Sequence, residues 1–184
     1  MVSGVRRRAV FLDRDGVLNR SVVRNGKPYP PASLKDLEIL PGVAEALNDL
    51  RNGGFLNVVV TNQPDVATGQ QTRQMVEKIN AFLQERLCID LVKVCFHADA
   101  DHCSCRKPKP GMLLEAAREL GIDLSSSFLI GDRWRDVGAG QAAGCKNYFI
   151  DYRYSEKGPD KPYVAVKSLP EAVAHILESS ASAR

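Results

Sequence analysis

The chain is expected to fold as an α/β domain with a doubly wound, Rossmann-like parallel sheet and helices on both faces. Two observations predict this. Short apolar runs alternate along the chain with segments whose apolar residues recur at helical spacing, the pattern of repeated βαβ units. Three of those runs end abruptly in polar residues, at Asp13-Arg14-Asp15, Thr61-Asn62-Gln63 and Gly131-Asp132. In open parallel sheets ligands bind just beyond such strand ends.

Taken in order, Ala9 to Leu12 is the first strand. Arg20 to Leu40 carries Gly26, Pro28, Pro30 and Pro31 without sustained periodicity and reads as a long binding loop. Pro41 to Arg51 places apolar residues at 43, 46, 47 and 50, one helix face, and Asn52-Gly53-Gly54 ends it. Phe55 to Val60 is the second strand, and a right-handed crossover joins it to the first. Thr72 to Leu87 is a helix whose stripe of Met75, Ile79, Phe82, Leu83 and Leu87 is core packing. Asp90 to Phe96 is a strand running into a cysteine-rich loop, and Pro110 to Leu120 a helix with proline in its first turn. Ser127 to Ile130, a helix from Trp134 to Ala143 and a strand from Lys146 to Ile150 follow. A short strand over 163–166, a helix from Pro170 to Leu177 and a frayed end over 179–184 complete the chain. Residues 1–184 form one domain, with no insertion long enough to be a cap domain.

Composition narrows the class. At 184 residues, 44% hydrophobic and 26% charged, the chain has the makeup of an ordinary globular domain. No run of about 18 apolar residues spans a membrane, and the basic start, Arg6 to Arg8, leads into a strand without a signal-peptide pattern. A cytoplasmic protein is expected. The net charge of +3 is mild, and the Arg6–Arg8 run reads as a solvated tail, so no nucleic acid is expected. No heptads argue for assembly, which leaves a monomer. Five cysteines in a cytosolic chain read as reduced, metal-bound or buried rather than paired.

The chemistry begins at the first strand end. In extended chain, residues i and i+2 share a face, so Asp13 and Asp15 converge. Two carboxylates that close repel unless a cation lies between them, and a hard oxygen-binding ion, Mg²⁺, suits them. Gly16 lets the backbone turn tightly. Further along, Cys95, His97, Cys103 and Cys105 put three thiolates and an imidazole within eleven residues. That is a tetrahedral Zn²⁺ set able to order a loop over 95–105 too polar to fold by burial. His102 is a substitute ligand. Cys88 and Cys145 fall on apolar faces.

Asp-x-Asp at 13–15, Thr61, a lysine before a helix at Arg106-Lys107-Pro108, and Asp132 with Asp136 occur in that order. Together they resemble the four motifs of the haloacid dehalogenase (HAD) superfamily of phosphotransferases. The Cys-x-His and Cys-x-Cys loop running into Arg-Lys-Pro is similar to its subclass III group, which includes heptose 1,7-bisphosphate 7-phosphatases and histidinol-phosphate phosphatases. The resemblance implies a Mg²⁺-dependent phosphatase acting on a small phosphorylated sugar. In it Asp13 is the nucleophile that forms an aspartyl-phosphate and Asp15 the general acid and base, with Asp15 also reaching the metal through its carbonyl. Asp132 completes the Mg²⁺ site; Asp136 binds the metal directly, through water, or only orients Arg133. Thr61 and Lys107 stabilise the phosphoryl group, with Lys109 the local rival of Lys107. Asn62, Arg106, Arg133 and the first loop near Ser21 and Arg24 contact substrate, and the zinc is structural. Heptose bisphosphate, feeding activated heptose for lipopolysaccharide or other surface glycans, is the leading substrate. Histidinol phosphate, a polynucleotide 3′-phosphate and a non-catalytic zinc-stabilised binding module are the alternatives. One departure stands out: Pro64-Asp65 follows Thr-Asn-Gln where the family has a small residue and glycine, removing a backbone donor and adding a charge beside the phosphoryl position.

Overall fold

Hydrophobic alternation explains how the sheet is sandwiched. The computed structural model describes residues 7–181. Strand β1 (Arg8–Leu12) turns Val10 and Leu12 to one face and Ala9 and Phe11 to the other, and all four are fully buried. Strand β4 (Phe55–Asn62) repeats the alternation, with Phe55 and Val59 on the first face and Leu56, Val58 and Val60 on the second. A period of two with both faces apolar is what a strand covered on both sides requires. Asn57 is the polar interruption in β4, and its amide donates to the carbonyls of Leu47 and Cys88 at 2.9 and 2.7 Å.

Six parallel strands run in the order β5-β4-β1-β6-β7-β8. The other four are β5 (Leu91–Cys95), β6 (Phe128–Gly131), β7 (Lys146–Ile150) and β8 (Val164–Val166). Helices α1 (Val43–Asn52), α2 (Arg73–Arg86) and α5 (Leu169–Ala181) pack on one face, and α3 (Gly111–Leu120) and α4 (Trp134–Ala143) on the other. This is the expected doubly wound sheet. The chain moves from β1 outward through β4 and β5, then returns to the other side of β1 to form β6. The carboxyl ends of β1 and β6 therefore flank the switch point where such folds bind ligands.

Three expectations need correction. Residues 20–40 are not one irregular loop: β2 (Val22–Arg24) and β3 (Lys27–Tyr29) form an antiparallel hairpin across Asn25 and Gly26. Both turn residues have positive φ, +50° and +73°, as a two-residue Asn-Gly hairpin demands. The last helix continues to Ala181, so Ser179 to Ala181 are helical rather than frayed, and 182–184 lie outside the described residues. Arg7 and Arg8 are no solvated tail. The Arg7 amide donates to Gly121 at 3.1 Å, and the Arg8 guanidinium lies 4.3 Å from the Phe55 ring centroid. Arg6 is outside the described residues.

The hairpin is anchored at its tip. The Ser155 amide donates to the Gly26 carbonyl at 2.8 Å, and a Cβ at position 26 would lie 2.2 Å from Ser155 Oγ. Glycine satisfies both the turn and the contact.

Candidate active site

The ends of β1, β4 and β6 converge on a cavity of about 230 Å³. Its lining includes Asp13, Asp15, Asn62, Lys107 and Asp136. The hairpin, the Pro64-Asp65 turn and three arginines close its sides.

Asp13 and Lys107 form the centre. Asp13 Oδ1 accepts from the Arg14 amide at 2.8 Å and from Lys107 Nζ at 2.9 Å. Lys107 Nζ also lies 2.6 Å from Asp136 Oδ1 and donates to the Val60 carbonyl at 2.7 Å. The Lys107 side chain is 2% exposed. Burial opposes its charge, but the carboxylates of Asp13 and Asp136 outweigh that and raise its pKa further. Burial, then the charge of Asp136, pushes the Asp13 carboxyl up to about 6 against the pull of Lys107. Lys109 is elsewhere, exposed, with Nζ donating to the carbonyls of His102 and Cys103.

One oxygen each of Asp13, Asp132 and Asp136 can be taken within 4.8 Å of one another, all three residues being buried. Burial, then the charges of Asp13 and Asp136, raises the Asp132 pKa well above the usual carboxylate range. Asp132 Oδ2 accepts from the Tyr154 hydroxyl at 2.8 Å, whereas Oδ1 is buried with no partner. An orphaned buried carboxylate oxygen among acidic neighbours suits a hard divalent cation. Gly16 belongs to this arrangement: its φ is +89°, and a Cβ there would lie 1.9 Å from Asp132 Oδ2. Asp136 is more heavily used, with Lys107 on Oδ1 and the Arg133 amide on Oδ2 at 2.9 Å.

Asp15 is held by residues the sequence did not single out. Arg14, 1% exposed, grips both of its oxygens, with contacts at 2.9–3.2 Å. Asn19 donates to Oδ1 at 2.9 Å and Gln63 to Oδ2 at 2.8 Å. Gln63 also donates to Thr61 Oγ1 at 2.9 Å, and Thr61 is buried. The amide of Asn62, expected to contact substrate, makes a reciprocal pair with the Lys107 backbone, both bonds at 3.1 Å. Asn62 thus fixes the Lys107 backbone while itself lining the cavity.

The remaining residues divide. Ser21, Arg106 and Arg133 line the cavity. Arg24 does not, because its exposed guanidinium lies over the Tyr29 ring, 5.8 Å from the centroid. Arg106 and Arg135 share Asp99 at 2.9–3.1 Å, and Arg133 is paired with Glu156. Asp99, Glu156 and Tyr154 carry no motif and were not legible in advance.

Beside the cavity, Cys95, His97, Cys103 and Cys105 form a second group. Five donor separations, sulfur to sulfur and sulfur to Nδ1, run from 3.1 to 3.7 Å. Tetrahedral bonds of about 2.0–2.3 Å to a zinc-like ion need separations of about 3.3–3.8 Å; four of the five meet this, and Cys95 and Cys105, at 3.1 Å, would part slightly around the ion. His102 lies outside it.

Comparison with known proteins agrees with this layout. The HAD-hydrolase-like family matches residues 104–172. A D-glycero-beta-D-manno-heptose-1,7-bisphosphate 7-phosphatase of Helicobacter pylori is 34% identical, covering 90% of this chain and 95% of its own. The Photorhabdus laumondii protein of that name is 40% identical, covering 73% and 75%. The crystal structure of a D,D-heptose 1,7-bisphosphate phosphatase from B. bronchiseptica, complexed with magnesium and phosphate, superposes with a TM-score of 0.78. It shares 27% identity and covers 94% of this chain and 99% of that one.

Proposed function

This chain belongs to the HAD phosphatases, phosphoric monoester hydrolases, and from that premise we propose that it removes the 7-phosphate of D-glycero-D-manno-heptose 1,7-bisphosphate. The observation that carries the reading is Asp13, held by Lys107 at 2.9 Å inside a cavity lined by cations. A phosphate monoester resists attack because nucleophile and phosphoryl group are both anionic, so catalysis means charge neutralisation and alignment. Asp13 is the nucleophile: its Oδ1 is fixed by Lys107 and the Arg14 amide, which leaves the other oxygen to attack phosphorus and form an aspartyl-phosphate. Lys107 then faces the negative oxygens of the transferring group. Asp15 gives a proton to the leaving sugar oxygen and takes one from the attacking water. Since Arg14, Asn19 and Gln63 already fill its acceptor positions, Asp15 must release one of these donors as it picks up the proton.

Mg²⁺, held by Asp13, Asp132 and the Asp15 carbonyl, would supply charge neutralisation at the phosphoryl oxygens. The unpartnered Oδ1 of Asp132 supports this. Asp136 is read as the residue that orients Lys107 and caps the Arg133 amide, since both its oxygens are engaged.

The test is phosphate release with Mg²⁺ from the α and β heptose 1,7-bisphosphates, histidinol phosphate and a 3′-phosphorylated oligonucleotide. A preference for one heptose anomer is expected. If histidinol phosphate or the oligonucleotide is the best substrate, the substrate assignment falls, and the Pro64-Asp65 turn on the cavity wall is where the altered preference would be sought.

Cys95, His97, Cys103 and Cys105 are read as a structural Zn²⁺ site that shapes the loop presenting Arg106 and Lys107. Removing zinc with a chelator and restoring Mg²⁺ should lower Tm by roughly 10 °C, the shift expected from a few kcal/mol of lost ligand stabilisation. Removing Mg²⁺ alone should move Tm less. Calorimetry showing equal or reversed shifts would contradict a structural role.

A further inference from the structure

Five cations line the cavity: Lys27, Arg106, Lys107, Arg133 and Arg135. Four are already engaged by carboxylates of the chain. Lys107 meets Asp13 and Asp136, Arg106 and Arg135 meet Asp99, and Arg133 meets Glu156. Among the described residues, the side chain of Lys27 has no ion-pair or hydrogen-bond partner, so of the five it alone is free to meet a ligand anion without giving up an internal one.

The position of Lys27 is also fixed. It opens β3, pairs in register with Arg24, and follows Gly26, whose carbonyl is held by the Ser155 amide at 2.8 Å. Pro28, Tyr29 and Pro30 beside it line the same cavity. The hairpin therefore presents one flexible, uncompensated ammonium from an anchored backbone. A lysine acts on phosphate as a mobile point charge, able to reach an anion whose position varies with the sugar.

We propose that Lys27 is a specificity-determining residue that binds the second phosphate of the substrate, the one not being cleaved, an assignment that rests on the sugar-bisphosphate reading given above. Lys107 and Asp13 serve the scissile phosphate, and Lys27 rewards a substrate with a second anionic end. None of the four catalytic motifs contains it.

The test compares two substrates of the wild-type and Lys27→Met proteins, heptose 1,7-bisphosphate and the matching heptose 7-phosphate, which keeps the scissile phosphate and lacks the other. Loss of one charge-assisted contact should raise KM for the bisphosphate about tenfold, with kcat within about twofold. The kinetics of the monophosphate should be unchanged, and Lys27→Arg should restore most of the difference. An unchanged KM for the bisphosphate, or an equal rise for both substrates, would overturn the assignment while leaving the phosphatase reading intact. A wild-type protein that hydrolyses p-nitrophenyl phosphate but neither heptose phosphate would overturn the substrate reading, and the role of Lys27 with it.

Discussion

Asparagine in place of Asp13 is expected to lower kcat by about 10⁴-fold or more, because it removes the carboxylate proposed to attack phosphorus. The change is nearly isosteric. It removes a negative charge that Asp136 and burial both disfavour, but it also takes the 2.9 Å ion pair from Lys107. These effects oppose one another, so Tm should move by only a few degrees. Acid-quenched wild-type protein should carry one phosphoryl group on the peptide containing Asp13, and Asp13→Asn none. Phosphoryl transfer retained by the variant would remove Asp13 from the role of nucleophile.

Lys107→Met is expected to damage both stability and rate. Its ammonium is buried between Asp13 and Asp136, and deleting one partner of a buried ionic cluster typically costs about 3–5 kcal/mol. For a chain of this length that corresponds to a fall in Tm of roughly 6–20 °C. Turnover should drop by about 10²–10³-fold even where the variant is folded, the usual cost of losing one preorganised group that faces transition-state charge. Scanning calorimetry and steady-state rates at fixed Mg²⁺ measure the two. An unchanged Tm would mean that the carboxylates find another counter-charge.

The fold was legible because its signals are local. The apolar run at 9–12, the helix face at 43, 46, 47 and 50, and the stop at Asn52-Gly53-Gly54 each follow from one segment's composition, periodicity or cap. The strand-end carboxylates were legible for the same reason. What sequence reading missed is tertiary. Nothing in Tyr154 or Glu156 announces that they will reach Asp132 and Arg133, and nothing in Gln63 says that it will join Thr61 to Asp15. Asn62 lines the cavity, but nothing in its own segment announces that its amide will also pair with the Lys107 backbone. The hairpin is a different case. Asn25-Gly26 is a strong turn signal, but the flanking strands are three residues each and the prolines around them hid the pattern. The same pairing leaves the Arg24 guanidinium over Tyr29, a placement no local signal announces.

The bond from Ser155 to Gly26 has a bearing on how this enzyme could change over evolution or in the laboratory. The hairpin that walls the cavity is braced from behind by the segment after β7, far from it in sequence, and the two fit each other with no room for a methyl group at position 26. A hairpin borrowed from a relative would arrive without its counterpart, and so would a borrowed segment after β7. The two pieces form a discontinuous cassette, exchangeable only as a pair.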